Sequence, residues 1–284
     1  MGRVQPEDVL GRYYRVLVDG QECRVFVEEA GQGIPLLCLH TAGADSRQYR
    51  HVMADPDVTA RFRVIAFDLP WHGRSTPPDG WWDEEYLLTT DRYVETVMAV
   101  VDALGLDAPV VLGCSMAGSV VLELARRHPD RLRGVIGLSG AGKLSGRFAD
   151  WPLDPGTNAQ QSVASWTYGL MAPQGPEADR REVWWIYSQG GPGIYRGDTF
   201  FYSEDFDLRG HEQEIDTAAC PVHMLTGEYD YACSPDESEA TARAIPGARY
   251  TRMSGIGHFP MAENYPLFRS HLLPVLDILG AVRV

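Results

Sequence analysis

The chain has 284 residues and a formal net charge of −14, with no run of basic residues. This charge argues against nucleic acid and anionic membranes as partners, and no segment approaches the roughly 20 apolar residues of a membrane-spanning helix. Residues 1–8 contain no apolar signal core. The cysteines have neither paired nor metal-ligand spacing, and they are Cys23, Cys38, Cys114, Cys220 and Cys233. These features predict a protein of the reducing cytoplasm that acts on a small molecule and binds no metal.

The first 140 residues alternate apolar strands with helices. Residues 13–18 and 22–28 alternate apolar and polar side chains about Asp19 and Gly20, which predicts a β-hairpin at an antiparallel sheet edge. Helical periodicity predicts a helix over residues 89–104. Continuous apolar runs, typical of strands buried on both faces, occupy residues 36–39, 63–68 and 132–139. The alternation predicts a doubly wound, mostly parallel sheet.

The alternation stops between residues 141 and 216, a region rich in aromatic side chains. A structureless loop of that length is implausible, so we predict a mostly helical cap over the carboxyl edge of the sheet, with a candidate hinge at Gly190–Gly193. The pattern resumes with strands at 220–226 and 248–253, a helix at 235–244 and a closing helix through Leu279. The predicted architecture is an eight-stranded core of residues 1–140 and 217–284 with an inserted cap of residues 141–216.

A strand, a sharp turn and a helix follow one another from Val110 to Ala125, and the turn carries Ser115. Gly113 and Ala117 stand two residues either side of this serine, where larger side chains would collide with the strained turn. Such a turn lifts the serine hydroxyl above the sheet edge. It also sets the next N–H at a helix N-terminus, where partial positive charge favours an oxyanion. Ser115 is therefore a candidate nucleophile, although the pattern also fits a tight turn without a catalytic role.

Two further polar residues follow predicted strands. Asp230 comes after the turn that closes strand 220–226, and His258 comes just after the strand that ends at Met253. Ligands of doubly wound sheets bind beyond the carboxyl ends of the strands, so both side chains are expected to meet Ser115. A serine hydroxyl needs an imidazole to take its proton, and the imidazole needs a carboxylate to orient it. The sequence predicts a Ser–His–Asp triad, although the aspartate alone could cap a helix and the histidine alone could be a loop residue.

These motifs resemble those of the α/β-hydrolase superfamily, in the branch whose members carry an inserted cap and act as esterases, lactonases or carbon–carbon bond hydrolases. The resemblance covers essentially the whole chain and rests on residues 40–45, 68–75, 113–118, 227–230 and 257–260. In that family, a backbone N–H of the loop after the third strand completes the oxyanion hole. The resemblance therefore implies an oxyanion hole formed by Ala42 and Met116, with Thr41 standing where the family usually has glycine.

The identity of the residue at the sharp turn after the strand excludes some members of the superfamily. Haloalkane dehalogenases and most epoxide hydrolases of the fold place aspartate there, whereas this chain has Ser115. Cys114 is expected to point the other way along its strand. His72 lies within the turn 68–75, which resembles a turn of this family, and is interpreted as a packing residue and not as a catalytic one.

We predict a serine hydrolase, without cofactor, that cleaves a small to medium apolar or aromatic carboxylic ester or lactone. The aromatic cap favours a substrate held by stacking and burial, although aromatic residues also simply pack caps onto cores. The predicted pocket residues are Thr41, Trp151, Trp166, Trp184, Tyr187 and Phe259. Candidates for binding a substrate carboxylate are Arg47, Arg50 and Arg196. The superfamily resemblance implies a monomer or a homodimer.

Other functions stay open on the same fold. The first is hydrolysis of a carbon–carbon bond in a diketone-like metabolite. The second is a ligand receptor with slow turnover, because the loop at residues 40–45 resembles that of receptors in this superfamily. Those receptors typically have compact helical caps, whereas the insertion in this chain is long. A third is cofactor-free oxygen chemistry, which requires a substrate that can form a carbanion.

Overall fold

Eight strands form one sheet in the computed structural model, which describes residues 8–154 and 156–282. The expectation about a signal segment concerns residues 1–8, of which only Asp8 is among those described. The strands are β1 (Leu10–Val18), β2 (Gln21–Ala30), β3 (Ile34–Leu39), β4 (Phe62–Phe67), β5 (Val110–Cys114), β6 (Gly134–Leu138), β7 (Val222–Gly227) and β8 (Arg249–Met253). Their order across the sheet is β1-β2-β4-β3-β5-β6-β7-β8.

The sheet is antiparallel at one edge and parallel elsewhere. Strand β1 pairs with β2 and β2 with β4 in antiparallel fashion, and every other neighbouring pair is parallel. Strands β5, β6 and β7 are buried along their whole length, because helices and loops cover both faces of the parallel part. The predicted hairpin and the predicted eight-stranded, mostly parallel, doubly wound sheet are both confirmed.

Helices pack on both faces of this sheet. They are α1 (Arg50–Met53), α2 (Pro56–Thr59), α3 (Thr90–Ala103), α4 (Met116–Arg127), α5 (Ala159–Tyr168), α6 (Glu177–Tyr187), α7 (Ile194–Phe200), α8 (Pro235–Ala244), α9 (Pro260–Glu263) and α10 (Tyr265–Gly280). Short 3₁₀ helices occupy Ser46–Tyr49, Trp81–Asp83, Pro129–Arg131, Trp151–Leu153 and Glu212–Glu214. Within the residues that the structure describes, no helix has the length and apolarity needed to cross a membrane.

The long connection between β6 and β7 contains α5, α6 and α7, and α7 continues into a π-helical turn at Phe201–Asp205. The apolar side of this connection joins the two buried clusters of the core: Val183 and Tyr187 belong to one, and Ile194 and Phe201 to the other. The region is mostly helical, as predicted from the implausibility of a structureless loop of that length. Its division from the core at residues 140 and 217 stays a prediction.

Candidate active site

The turn between β5 and α4 holds Ser115 in an unusual backbone conformation. Its φ of 63° and ψ of −120° lie in a region that side-chain-bearing residues rarely adopt, and such strain clusters at functional sites. A Cβ added to Gly113 would lie 2.3 Å from the carbonyl oxygen of Ala117 and 2.8 Å from its methyl carbon. The methyl group of Ala117 is therefore tolerated because Gly113 has no side chain, which explains why alanine can stand at the second small position.

Ser115, His258 and Asp230 form a hydrogen-bonded chain beyond the ends of β5, β7 and β8. The Ser115 Oγ atom lies 2.8 Å from His258 Nε2, and His258 Nδ1 lies 2.8 Å from Asp230 Oδ2. The other carboxylate oxygen of Asp230 accepts the N–H groups of Ala232 and Cys233, both at 2.9 Å. A carboxylate fixed in this way keeps the proton of the imidazole on Nδ1, which leaves Nε2 able to accept the proton of the serine.

Two backbone N–H groups are available next to Ser115. The neighbours of Ala42 are all engaged: Thr41 N–H donates to Gln48, Gly43 N–H to Asp198 and Ala44 N–H to the carbonyl of Thr41. Within residues 8–154 and 156–282, the N–H groups of Ala42 and Met116 donate to no protein acceptor. That is the condition an oxyanion hole must meet before substrate binds.

Glu263 supports the loop that carries His258. Its buried carboxylate accepts the N–H groups of Gly257 at 2.5 Å, Phe259 at 3.0 Å and Ala172 at 3.2 Å. Burial raises the pKa of Glu263, and the three N–H donors act in the opposite direction. The glutamate thus ties the histidine loop to the inserted segment, and no sequence motif indicated this role.

Cys114, the neighbour of the candidate nucleophile, is not positioned to replace it. Its Sγ atom lies 3.2 Å from the carbonyl oxygen of His258, to which the thiol donates. Burial raises the pKa of this thiol well above its ordinary value, so the reactive thiolate form is disfavoured.

The cavity in front of Ser115 has a volume of about 20 Å³, enough for one water molecule. Three of the predicted pocket residues line it, namely Trp166, Tyr187 and Phe259. The other lining residues are Ala42, Ser115, Arg147, Thr167, Leu170, Tyr195, Thr199, Tyr202, Ala232 and His258. A substrate larger than water can therefore enter only if lining side chains move, and most of these belong to the inserted segment.

The other three predicted pocket residues are not among those that line this cavity. Trp184 borders a separate surface groove with Trp185 and Tyr168, and Trp151 lies in an exposed 3₁₀ turn. Thr41 bonds through its hydroxyl to Tyr187 and to Gln48. Aromatic residues of an amphipathic segment divide between its two faces, and composition alone did not show which face each would take.

The three arginines proposed to bind a carboxylate are already paired. Arg47 bonds to Asp45, Arg50 lies 3.8 Å from Glu182, and Arg196 lies 2.7 Å from Asp150. None of them lines the cavity. The arginine that does is Arg147, which sequence reasoning missed together with Tyr195 and Tyr202, because no motif marks residues of the insertion.

The buried carboxylate of Asp198 connects the inserted segment to the loops at residues 40–45 and 68–75. Asp198, on α7, accepts the Gly43 N–H at 2.7 Å, the Tyr86 hydroxyl at 2.8 Å and His72 Nε2 at 2.8 Å. His72 Nδ1 donates to the carbonyl of Pro70, so both ring nitrogens face acceptors. Burial opposes the charged imidazole, but Asp198 outweighs it and raises the pKa of His72. The residue that was expected only to pack therefore anchors α7.

Replacing His72 with glutamine is expected to lower the free energy of unfolding by about 3 kcal/mol at pH 6, because Asp198 loses its cationic partner. The folded-state pKa of His72 is raised. Its contribution is therefore complete below the unfolded pKa of about 6.5 and is lost as the pH rises through the folded value. Urea unfolding of both proteins from pH 5.5 to 9 measures the difference.

The control for this series is His211→Gln, which removes an exposed histidine paired with Glu214 at 2.7 Å. Exposed pairs contribute about 0–1 kcal/mol, so this control should change stability little at any pH. A difference between wild type and His72→Gln that stays constant from pH 5.5 to 9 would contradict the ion-pair interpretation.

Metal ligands do not gather in the described part of the chain. No group of three or more histidine, cysteine, aspartate or glutamate side chains in residues 8–154 and 156–282 is arranged to hold an ion. The five cysteines are free thiols in buried positions.

Several known proteins are similar in sequence to this chain. The family described as the alpha/beta hydrolase fold matches residues 34–169. The 2-hydroxymuconate semialdehyde hydrolase of Pseudomonas putida is 32% identical over 256 residues, which cover 86% of this chain and 88% of that protein. Alignments with four other curated relatives span only 42% to 47% of their lengths.

Two solved structures have closely similar backbones. A thermophilic esterase from Thermogutta terrifontis superimposes with a TM-score of 0.81 at 20% identity, over 95% of this chain and 100% of the other. The enol-lactonase of Burkholderia xenovorans LB400 superimposes with a TM-score of 0.79 at 20% identity, over 93% and 100%. At this level of identity the likeness concerns the fold.

Proposed function

Because this chain belongs to the α/β-hydrolase family, we propose that it is a serine hydrolase of small to medium apolar or aromatic carboxylic esters or lactones. The observation that carries the proposal is the chain of two 2.8 Å hydrogen bonds from Ser115 through His258 to Asp230. Such a chain gives a neutral serine a base strong enough to remove its proton as it attacks. The proposal needs no cofactor, and it includes a cytoplasmic location, a free small-molecule substrate and a monomeric or homodimeric state.

In the first half of the reaction, Ser115 Oγ attacks the substrate carbonyl while its proton passes to His258 Nε2. Asp230 stabilises the imidazolium that forms. The negative charge on the carbonyl oxygen is held by the N–H groups of Met116 and Ala42. Removing one such donor typically costs about 100- to 1000-fold in rate. His258 then gives its proton to the leaving oxygen, which departs as the alcohol.

In the second half, a water molecule replaces the departed alcohol. His258 Nε2 takes a proton from this water, whose oxygen attacks the acyl-enzyme carbonyl. The same two N–H groups stabilise the second tetrahedral intermediate. Its collapse releases the carboxylic acid and returns the proton to Ser115 Oγ. A lactone follows the same course, except that the leaving hydroxyl stays attached to the product.

The apolar or aromatic character proposed for the substrate rests on the lining of the cavity. Trp166, Tyr187, Tyr195 and Phe259 present aromatic surface to Ser115, and such surface favours apolar or aromatic groups. The structural neighbours named above are an esterase and an enol-lactonase, which agrees with the choice of an ester or lactone bond.

The second candidate is hydrolysis of a carbon–carbon bond by the same residues. It is favoured by the relative that aligns over 88% of its length, a 2-hydroxymuconate semialdehyde hydrolase. Product analysis separates the two candidates. Ester or lactone cleavage yields an acid and a hydroxyl group, whereas cleavage of a diketone-like substrate yields an acid and a shortened ketone.

A burst experiment tests the proposed mechanism. Wild-type protein mixed with excess 4-nitrophenyl acetate is expected to release one equivalent of 4-nitrophenol per chain before steady turnover, because the acyl-enzyme accumulates. A fluorophosphonate probe should label Ser115, located by peptide mass mapping, and heat-unfolded protein should take up no label.

Each outcome decides between the candidates. A burst with labelled Ser115 supports the acyl-enzyme. Labelling without ester turnover contradicts the ester proposal and favours either carbon–carbon cleavage or a slow receptor. Absence of both burst and labelling in protein that is folded by circular dichroism contradicts the assignment of Ser115.

A further inference from the structure

The cavity beside Ser115 contains two polar groups that the proposed mechanism does not use. The Nε atom of Arg147 is buried and has no hydrogen-bond partner within the described residues, and the buried hydroxyl of Tyr202, whose close polar neighbour is Ser115, meets no acceptor there at hydrogen-bonding geometry. Both side chains line the cavity together with Ser115 and His258. A buried polar atom left without a partner is destabilising, so two of them in one small cavity indicate a ligand that supplies acceptors.

Arg147 is held in place by backbone groups. Its Nη2 atom donates to the carbonyl oxygens of Tyr231 and Ala232, each at 3.0 Å, immediately after the triad residue Asp230. Its own backbone N–H donates to the Ser203 hydroxyl at 2.8 Å. These bonds fix the guanidinium beside the triad but leave its positive charge without an anionic partner.

This lack of a counter-ion sets Arg147 apart from the arginines proposed from the sequence. Arg47, Arg50 and Arg196 each lie against a carboxylate. Arg147 takes part in no ion pair within residues 8–154 and 156–282, although acidic residues outnumber basic ones by 39 to 25 in the whole chain. A cation next to the reacting serine in an acidic protein therefore points to an anionic substrate group.

Tyr202 provides a second hydrogen-bond donor beside the positive charge of Arg147. Only 4% of it is exposed, and it lies in the π-helical turn that follows α7. Burial raises the pKa of its phenol well above the ordinary value, and the neighbouring Ser115 acts in the opposite direction. The phenol therefore keeps its proton at neutral pH and can donate it to an acceptor oxygen.

We propose that Arg147 and Tyr202 form a subsite for a carboxylate on the substrate, so that the enzyme prefers esters or lactones of short dicarboxylic acids. An arginine donates to a carboxylate with matching planar geometry, and the phenol donates to the same group. Both residues line a small cavity with Ser115, so the carboxylate lies only a few bonds from the scissile carbonyl. This inference rests on the proposed serine hydrolase function.

Two matched substrates test the subsite. Mono-4-nitrophenyl glutarate carries a free carboxylate, and 4-nitrophenyl methyl glutarate is its neutral counterpart with the same leaving group. The wild type is expected to favour the anion by about 100-fold in kcat/KM, because a site built around charged hydrogen bonds rejects a ligand that lacks them. Arg147→Met should reduce this ratio to near one, chiefly by raising KM for the anion, and Tyr202→Phe should reduce it by about tenfold.

The matched control is Arg243→Met, which removes the same charge from an exposed arginine paired with Glu239 on α8. It should leave the ratio at the wild-type value. Arg147→Lys keeps the charge and should restore part of the preference. A wild type without preference for the anion, or an Arg147→Met variant that loses activity equally on both esters, overturns the inference.

A measurement on the wild type alone covers the case in which the variants fail to fold. Glutarate should slow fluorophosphonate labelling of Ser115, and glutaramide, the neutral diamide of the same length without an ester bond, should not; equal effects of the two compounds overturn the subsite. Failure of the subsite is distinguishable from failure of the proposed function. Hydrolysis of the neutral ester with a Ser115 burst but no anion preference rejects only the subsite, whereas folded protein with neither hydrolysis nor labelling rejects both.

Discussion

Replacing Ser115 with alanine is expected to lower kcat for a 4-nitrophenyl ester by about a million-fold. The variant keeps the candidate oxyanion donors and the His258–Asp230 pair but has no atom that can form the acyl-enzyme. The remaining rate should be that of water attack in an oriented site. The measurement is steady-state turnover at high protein concentration, after active-site titration to exclude wild-type contamination.

The double variant Ser115→Ala/His258→Ala provides the sharper part of this test. Residues that act as one unit give losses that do not add, so the double variant should be no slower than Ser115→Ala by more than about tenfold. Ser165→Ala, on the exposed side of α5, is the control and should keep full activity. A fall of less than about a hundredfold in Ser115→Ala would mean that another group performs the attack.

Replacing Asp230 with asparagine is expected to lower kcat by about ten-thousand-fold with little change in stability. The side-chain oxygen of asparagine can still accept the N–H groups of Ala232 and Cys233, which lie 2.9 Å from Oδ1 in the wild type. The amide nitrogen then faces His258 Nδ1 and donates to it. The imidazole proton moves to Nε2, which can no longer accept the proton of Ser115.

The matched control is Asp236→Asn, the same change at a side chain that is 90% exposed on the first turn of α8. It should alter kcat by less than twofold. Thermal unfolding of both variants separates loss of activity from loss of fold. If Asp230→Asn retained more than a tenth of wild-type kcat, the tautomer argument would be wrong and Asp230 would serve as a structural cap.

The sequence predicted the buried strands of the parallel sheet correctly because burial on both faces favours apolar residues along the whole strand. The apolar run 36–39 falls within β3, and the run 63–68 coincides with β4 except for its last residue, because strands covered on both faces admit no polar alternation. The contact of Ser115, Asp230 and His258 followed from the rule that parallel strands end at one edge. Their catalytic roles stay predictions.

The roles of residues in the inserted segment were harder to predict from the sequence, for a physical reason. Exposure does not separate its aromatic residues by role: Trp166 is 48% exposed and still lines the cavity, whereas the less exposed Trp184 borders a groove on the surface. The roles of Asp198, Arg147 and Tyr202 depend on contacts with residues that are distant in sequence. An isolated charged residue in an aromatic region carries no local signal that such partners exist.

The bond between Asp198 and the Gly43 N–H has a consequence for how the catalytic cycle is timed. In the proposed reaction, side chains that line the cavity must move for a substrate to enter, and Tyr195 and Thr199 on α7 are among them. A displacement of α7 would break the bond from the Gly43 N–H to Asp198 and so free the loop that carries the Ala42 N–H, the proposed oxyanion donor. Thermodynamic linkage makes this relation reciprocal: negative charge at the oxyanion hole stabilises the closed arrangement as much as closure stabilises the charge. Under the proposed mechanism, the tetrahedral intermediate is then the species that stabilises the closed arrangement most, and its collapse weakens closure when the product must leave.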